Sequence, residues 1–385
     1  MGRILPKYQN GLGVSPITML DEILVINGGS STLKVSLFPK KMSSPIWEKK
    51  ITWEDDFEKE LEKALKELPK QKIQLIGHRV VHGGDAFTKI TRITPAVKQK
   101  IRELFFIVPL HNPINLAGIE TCERLFPQLP QYAVFDTAFH MTLKEEAYTY
   151  PISIKYQKAG VRRYGFHGIS YAYCSKKAAQ FLKRPLVELK MVICHLGAGA
   201  SLCAVKEGKS IDTTMGMTPL EGLMMATRSG SIDPGALLYI LKKNRKTPED
   251  LEDELNHRSG LLGVSELSSD MRTLALAAVH GNAHANLARA IFIHRLRSCM
   301  GAMIASLGGL DVLVFTAGIG ENDSQVREEA CASFSYLGLE IDPSKNRSLS
   351  HEDREISSGR SSCKVLVIPT KEEWEIAQQC IAATN

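Results

Sequence analysis

Two stretches of this chain repeat one pattern. Residues 23–35 and 191–205 each hold an apolar run, a turn of small residues and a second apolar run. Setting Gly29 against Gly197 separates them by 168 residues. Strand, small-residue turn, strand is a hairpin signature. Two unrelated hairpins can share this pattern; as a true repeat it implies a duplicated α/β chain, with both hairpins facing a shared cleft. Ligands of α/β folds bind at the carboxyl ends of strands, where these turns fall. At about 150 residues per domain, a chain of 385 residues has room for two such halves.

Composition agrees with a globular protein and narrows its partners. Hydrophobic residues make up 44% and charged residues 23%, close to globular averages, which excludes disorder, collagen and coiled coil. The net charge of +6 suits anionic small ligands, and no Lys/Arg run interleaved with aromatics points to nucleic acid. The eight cysteines include no C-x-x-C pair, so zinc-ribbon spacing is absent, and free thiols fit a cytoplasmic location. No run of 18 apolar residues suggests a membrane span. Pro6, Asn10 and Pro16 break any apolar core in residues 1–20, which read as a disordered extension and not as a signal peptide.

Further strands are expected at 74–81, 132–135, 311–316 and 364–368. Helices are expected at 55–68, 95–106, 114–125 and 277–306, with one more after 372. Chemistry-bearing residues gather at the strand ends. The turn at 27–34 holds Asn27, two glycines, Ser30, Ser31, Thr32 and Lys34. Glycines let backbone N–H groups approach an anion, and Lys34 adds a point charge. By itself the same composition is also that of an ordinary hairpin turn. The loops 195–201 and 317–320 carry the same ambiguity. No Walker A motif is present, since Cys203 stands where Gly208-Lys209-Ser210 would need a glycine. Arg79 and His82 follow one strand, Asp136 ends another, His167 lies between glycines, and Arg228 sits among small residues. An arginine fork suits a phosphoryl group in flight, although a surface salt bridge is the commoner fate of an arginine. His280 and His284 have i, i+4 spacing but no intervening Glu, so they read as a solvated helix face and not a metal pair.

Ten collinear segments give the chain a specific likeness. They are NGGSSTLK (27–34), GHRVVHGG (77–84), PLHNPINLAGIE (109–120), VFDTAFH (134–140), RRYGFHGIS (162–170), HLGAGAS (195–201), DTTMGMTPLEGL (212–223), TRSGSIDPG (227–235), FTAGIGEN (315–322) and PTKEE (369–373). From about residue 22 to 380 the sequence resembles the acetokinase family, which comprises acetate kinase and its propionate and butyrate relatives.

The resemblance implies an α/β fold of two duplicated actin-like (ribonuclease H-like) domains with a nucleotide cleft between them. Their expected bounds are 21–150, joined by a C-terminal helix at 373–385, and 151–372. It implies a cytoplasmic homodimer that moves the γ-phosphoryl group of ATP reversibly to acetate, giving acetyl phosphate and ADP. The implied metal is Mg2+, or Mn2+ in its place. No nucleic acid or membrane partner is expected.

Carried over by position, Asp136, Arg79, Arg228 and His167 are the catalytic residues. Arg79, Val81, Leu110, Phe166 and Pro219 surround the acetate. Asn27, Ser30, Thr32, Lys34, His195, Gly197, Ala198, Gly199, Asp270, Met271, Arg272, Gly318, Ile319, Gly320 and Asn322 line the nucleotide. Asn27 and Glu372 support the metal. The sequence departs from the family pattern at Ala198, where Asn is usual, at Thr32 for Ser, at Gly28 and at Met271 for Phe. Losing the Asn hydrogen bond to a phosphate costs about 1.5–3 kcal/mol. That keeps open a catalytically weak nucleotide sensor, while a propionate or butyrate kinase stays open because one methylene in an apolar pocket is worth only about 1–3 kcal/mol.

Overall fold

The computed structural model describes residues 22–384, apart from 30–31, 42–43, 54–55, 70–71 and 349. The expected extension at 1–20 and the candidate Ser30 therefore lie outside the described residues.

Among the described residues, twelve strands form two six-stranded sheets. The first sheet holds β1 (Glu22–Gly28), β2 (Thr32–Pro39), β3 (Trp47–Thr52), β4 (Ile73–Val80), β5 (Thr91–Arg92) and β6 (Gln131–Phe135). The second holds β7 (Lys190–Leu196), β8 (Ala200–Lys206), β9 (Lys209–Thr213), β10 (Val312–Thr316), β11 (Arg354–Glu355) and β12 (Lys364–Val367). Their orders are β3-β2-β1-β4-β6-β5 and, read from the other edge, β9-β8-β7-β10-β12-β11. Each sheet begins with an antiparallel three-strand meander, adds two parallel strands and closes on a short antiparallel edge. The two are one topology used twice. The starts of β1 and β7, and of β2 and β8, lie 168 residues apart, the offset found in the sequence.

Burial explains the strand patterns. β1 is buried at every residue and β10 likewise, as central strands covered on both faces must be. The outer strand β3 alternates half-buried and exposed residues, with Glu and Lys on the open face.

Helices cover both faces of each sheet. On the first, α1 (Phe57–Lys66) and α3 (Asn112–Leu125) pack Phe57, Leu61, Leu65 and Cys122 onto β1 and β2. Between them in sequence lies α2 (Pro95–Glu103). On the second, α4 (Gly168–Leu182) covers one face, and the long α6 (Ala283–Leu307) covers the other. The last helix, α8 (Glu372–Thr384), packs Ile376, Ala377 and Cys380 against Ile23, Val25 and Leu75 of the first sheet. It also lies against α4, so these two helices stand between the sheets.

Two sequence expectations need correction. The helix expected at 277–306 is two helices, α5 (Met271–Val279) and α6. Gly281 turns left-handed between them at φ +84°, and the Asn282 side chain caps α6 by accepting from the Ala285 N–H. His280 ends one helix and His284 begins the next, so they share no helical face. His284 instead faces Glu266 at 3.3 Å. The loop expected at 317–320 is the start of a short helix, α7 (Ala317–Asn322).

Candidate active site

The two sheets bring the expected strand-end residues to one place. Arg79, at the end of β4, donates through Nε and Nη2 to Oδ2 of Asp136, at 3.1 and 2.6 Å. Asp136 follows β6, the strand beside β4. Burial works against the Arg79 charge, but Asp136, Glu372 and Glu373 outweigh it and raise its pKa. Burial pushes the Asp136 carboxyl upward while the guanidinium pulls it back. Its second oxygen, Oδ1, is buried and has no hydrogen-bond partner among the described residues.

Asn27, at the end of β1, joins Arg79 to the start of α8. Its Oδ1 accepts from Arg79 Nη1 at 3.3 Å, and its Nδ2 donates to Glu373 at 2.7 Å and Glu372 at 3.3 Å. Lys34 pairs with Glu373 at 3.1 Å. Burial opposes the Glu372 charge, but Arg79, His195, Lys34 and Asn27 hold its pKa below the usual range. Thr32 opens β2, where its carbonyl accepts from the Gly29 N–H at 2.7 Å and closes the hairpin turn.

The second half supplies the other wall. His167 caps α4 in a left-handed conformation, φ +56°, which a non-glycine residue adopts only at a cost. Its ring stacks on His195 with centroids 4.0 Å apart. Its Nδ1 lies 2.8 Å from Ser201 Oγ. Burial, then His195, Arg79 and Arg228, hold His167 well below its ordinary pKa. His195 is lowered to about 4, again chiefly by burial. Arg228 reaches the same point. A Cβ on Gly199 would lie 3.3 Å from Arg228 Nη1 and 3.5 Å from His167 Nε2, so only glycine leaves this corner open. Arg228 donates to the Pro219 carbonyl at 3.2 Å and forms no ion pair among the described residues. Burial and Arg79 lower its pKa.

Beside this corner opens a cavity of about 830 Å3. Gly197, Ala198, Asp270, Met271, Arg272, Gly318, Ile319 and Asn322 all line it. Asp270 caps α5, accepting from the Arg272 and Thr273 N–H groups, and Arg272 folds back onto it. Gly320 is buried behind the cavity wall in α7 and does not line it. The expected acyl pocket is only partly assembled. Val81 and Phe166 are buried in one cluster and Pro219 is half-buried. Leu110, by contrast, is 38% exposed, because the turn after Val108 carries it outward.

Other histidines fill structural roles. His140 bonds Ser210 and the Phe166 carbonyl, and His82 accepts from the Gly84 N–H. His111, just before α3, was missed by sequence reasoning. Burial, with the charges of Arg228 and Arg79, lowers its pKa to about 3, so it stands near both arginines. Glu373 was also missed, though its adjacency to Glu372 was the available signal.

Two half-buried arginines and a buried-ring histidine gather next to a cavity, between two halves of one actin-like topology, an architecture of two-lobed kinases. The sequence profile of the Acetokinase family matches residues 55–378. The chain belongs to this family of enzymes. Among its relatives, it is 47% identical over 396 residues to an acetate kinase of Microcystis aeruginosa, covering 93% of this chain and 98% of the relative. It superposes on the Porphyromonas gingivalis acetate kinase with a TM-score of 0.88 at 36% identity, covering 95% of this chain and all of that one. A propionate kinase from Francisella tularensis gives 0.86 at 38% identity, over 94% and 99% of the two chains.

Proposed function

We propose that this enzyme transfers the γ-phosphoryl group of ATP to acetate, reversibly, giving acetyl phosphate and ADP. The observation that carries the reading is the corner at Gly199. There Arg228, which has no ion-pair partner among the described residues, and His167 both approach Gly199, next to Gly197 and Ala198 of the cavity wall. An anion at that corner would meet both donors.

ATP lies with its adenosine in the 830 Å3 cavity, between Met271 on one side and Gly318 and Ile319 on the other. Its phosphates run past Gly197 and Ala198 toward Arg228. Lys34, Thr32 and Asn27 face the phosphates from the first hairpin. Arg79 orients the acetate carboxylate, held itself by Asp136. One acetate oxygen bonds to the γ-phosphorus as the bridge to the β-phosphate breaks, and ADP leaves with that electron pair. The carboxylate is already a nucleophile, so no strong base is needed. Positioning and charge stabilisation carry the catalysis. Arg228 and His167 meet the equatorial oxygens, while Val81, Phe166 and Pro219 enclose the methyl group. Leu110 reaches it only when the lobes close, which also shields the mixed anhydride from water.

The residues fit a divalent metal carried in with the nucleotide. No group of three His, Cys, Asp or Glu side chains among the described residues is arranged to hold a metal ion alone. The unpartnered Asp136 Oδ1 and the Glu372 carboxylate offer the one or two acidic groups that Mg2+ takes when substrate phosphates supply the rest. Mg2+, or Mn2+ in its place, would supply charge neutralisation to the nucleotide phosphates. Asn27 orients Glu372 for that purpose.

We further propose domains of 21–150 with 373–385, and 151–372, because α8 packs on the first sheet. We propose a cytoplasmic homodimer as well. Exposed Leu238, Tyr239 and Val279 give apolar surface for a second copy to cover. Among the described residues no helix is long and apolar enough to cross a membrane.

The test mixes protein, ATP, Mg2+ and hydroxylamine with acetate, propionate or butyrate and measures acyl hydroxamate. The expected result is hydroxamate, highest with acetate and abolished by EDTA. A better yield with propionate would move the acceptor assignment, since one methylene is worth only about 1–3 kcal/mol. No hydroxamate from any acid, with ATP still bound, would make the chain a nucleotide sensor.

A further inference from the structure

Burial and the nearby cationic side chains hold His167 well below its ordinary pKa and favour the neutral ring, with a proton on one nitrogen. Which one decides whether the ring can donate toward Gly199. The surroundings of its Nδ1 settle the choice. Tyr171, on α4 one turn after His167, is fully buried, and its hydroxyl lies 2.5 Å from Ser201 Oγ. Ser201, on β8, is also fully buried and lies 2.8 Å from His167 Nδ1. Among the described residues neither hydroxyl has another partner.

Only one arrangement uses every proton. Tyr171 donates to Ser201, and Ser201 donates to Nδ1. The reverse order, with a proton on Nδ1, strands either the Tyr171 or the Ser201 hydroxyl hydrogen in the core. A buried donor left unmade is costly. An imidazolium meets the same objection, because it too carries a proton on Nδ1.

We propose that Tyr171 and Ser201 are positioning residues that hold His167 as the Nε2–H tautomer, so that its free N–H points at the transferring phosphoryl group. This rests on the reading of His167 as a phosphoryl donor. The second half of the site uses the device again, with Ser170 between His195 Nδ1 and Thr370 Oγ1 at 2.9 and 3.0 Å. There either hydroxyl can donate, so no tautomer follows for His195.

The experiment records imidazole 15N resonances of the full-length protein labelled at histidine, with His167 identified by its loss in His167→Gln. The wild type is expected to show Nε2 protonated and Nδ1 bare. Ser201→Ala is expected to shift His167 toward the Nδ1–H form. Removing one such transition-state donor costs on the order of 100- to 1,000-fold in kcat, so a partial tautomer loss should cost roughly tenfold or more. KM for ATP should hold within about threefold, because the donor acts in the transition state. Tyr171→Phe should give a smaller shift in the same direction, and Ser201→Thr should restore both tautomer and kcat. A wild-type His167 protonated at Nδ1, or a tautomer unmoved in Ser201→Ala, would overturn the proposal. A tautomer that moves while kcat does not would leave the hydrogen-bond chain standing and overturn the role of His167 at the phosphoryl group.

Discussion

Replacing Arg79 with Leu should destabilise the first lobe in a way that depends on pH. Asp136 is 1% exposed and Arg79 15%, so water screens the pair little. At roughly 4 Å between charge centres and an effective dielectric of about 20, the attraction is about 4 kcal/mol. Stripping one partner from a buried pair typically costs about 3–5 kcal/mol, which agrees. The variant leaves both Asp136 oxygens unpaired and Glu372 still near. Its carboxyl pKa must then climb above the raised wild-type position. A carboxyl with a raised folded pKa takes up its proton before the unfolded chain does. Stability is therefore gained as pH falls through the folded value and lost as it rises, with a slope of at most about 1.4 kcal/mol per pH unit for this one group.

Trp47 and Trp53 pack on the first sheet, whereas Trp374, on α8, packs on that sheet and on Tyr173 of the second half. Urea unfolding followed by tryptophan fluorescence of a Trp374→Phe background thus reports this lobe. The expected loss is about 3–5 kcal/mol at pH 8, shrinking by more than about 1 kcal/mol at pH 5.5. Adding Asp136→Asn to Arg79→Leu should recover part of the loss at pH 8 and flatten the pH dependence. A loss under about 1 kcal/mol, equal at both pH values, would refute the argument that this is a desolvated pair.

Restoring the usual Asn with Ala198→Asn adds one hydrogen bond to a charged phosphate. ATP binding measured by calorimetry should tighten roughly 10- to 150-fold, the equivalent of about 1.5–3 kcal/mol, and an unchanged Kd would show that this turn does not touch the nucleotide. Gly77→Ala would place its Cβ 2.8 Å from both Cys380 Sγ and Ile376 Cγ2. Pushing α8 off β4 should cost about 1–3 kcal/mol in the same tryptophan-reported transition. Cys380→Ala in the same chain should relieve part of that cost, and a stable Gly77→Ala protein would count against the tight packing of α8 on this sheet.

Much of the fold was legible because its strongest signals are local. The runs 23–26, 191–194 and 312–315 are apolar throughout, since each lies in a central strand buried on both faces. The hairpin turns announced themselves by small residues. Periodicity misjudged the region around residue 280, because apolar residues continue at helical spacing through a break that Gly281 and Asn282 impose. The loop reading of 317–320 failed because glycines were taken as turn signals. In the structure Ala317 takes the left-handed entry at φ +64°, its N–H bonds Glu321, and the segment winds into a helix.

Contiguous residues carried the 168-residue offset of the two hairpins, the strands that end in small-residue turns and, through ten motifs, the family. Those are properties of contiguous residues, where burial and turn geometry act on a few neighbours at a time. Tertiary structure alone decided that Arg79, Arg228 and His167 converge, that Glu373 and His111 join them, and that Leu110 stands away. It also decided the direction of the Tyr171–Ser201–His167 chain. These depend on how two sheets and the helices between them bring distant strand ends within hydrogen-bond range. That range is about 3 Å, and no pattern of residues along the chain encodes it.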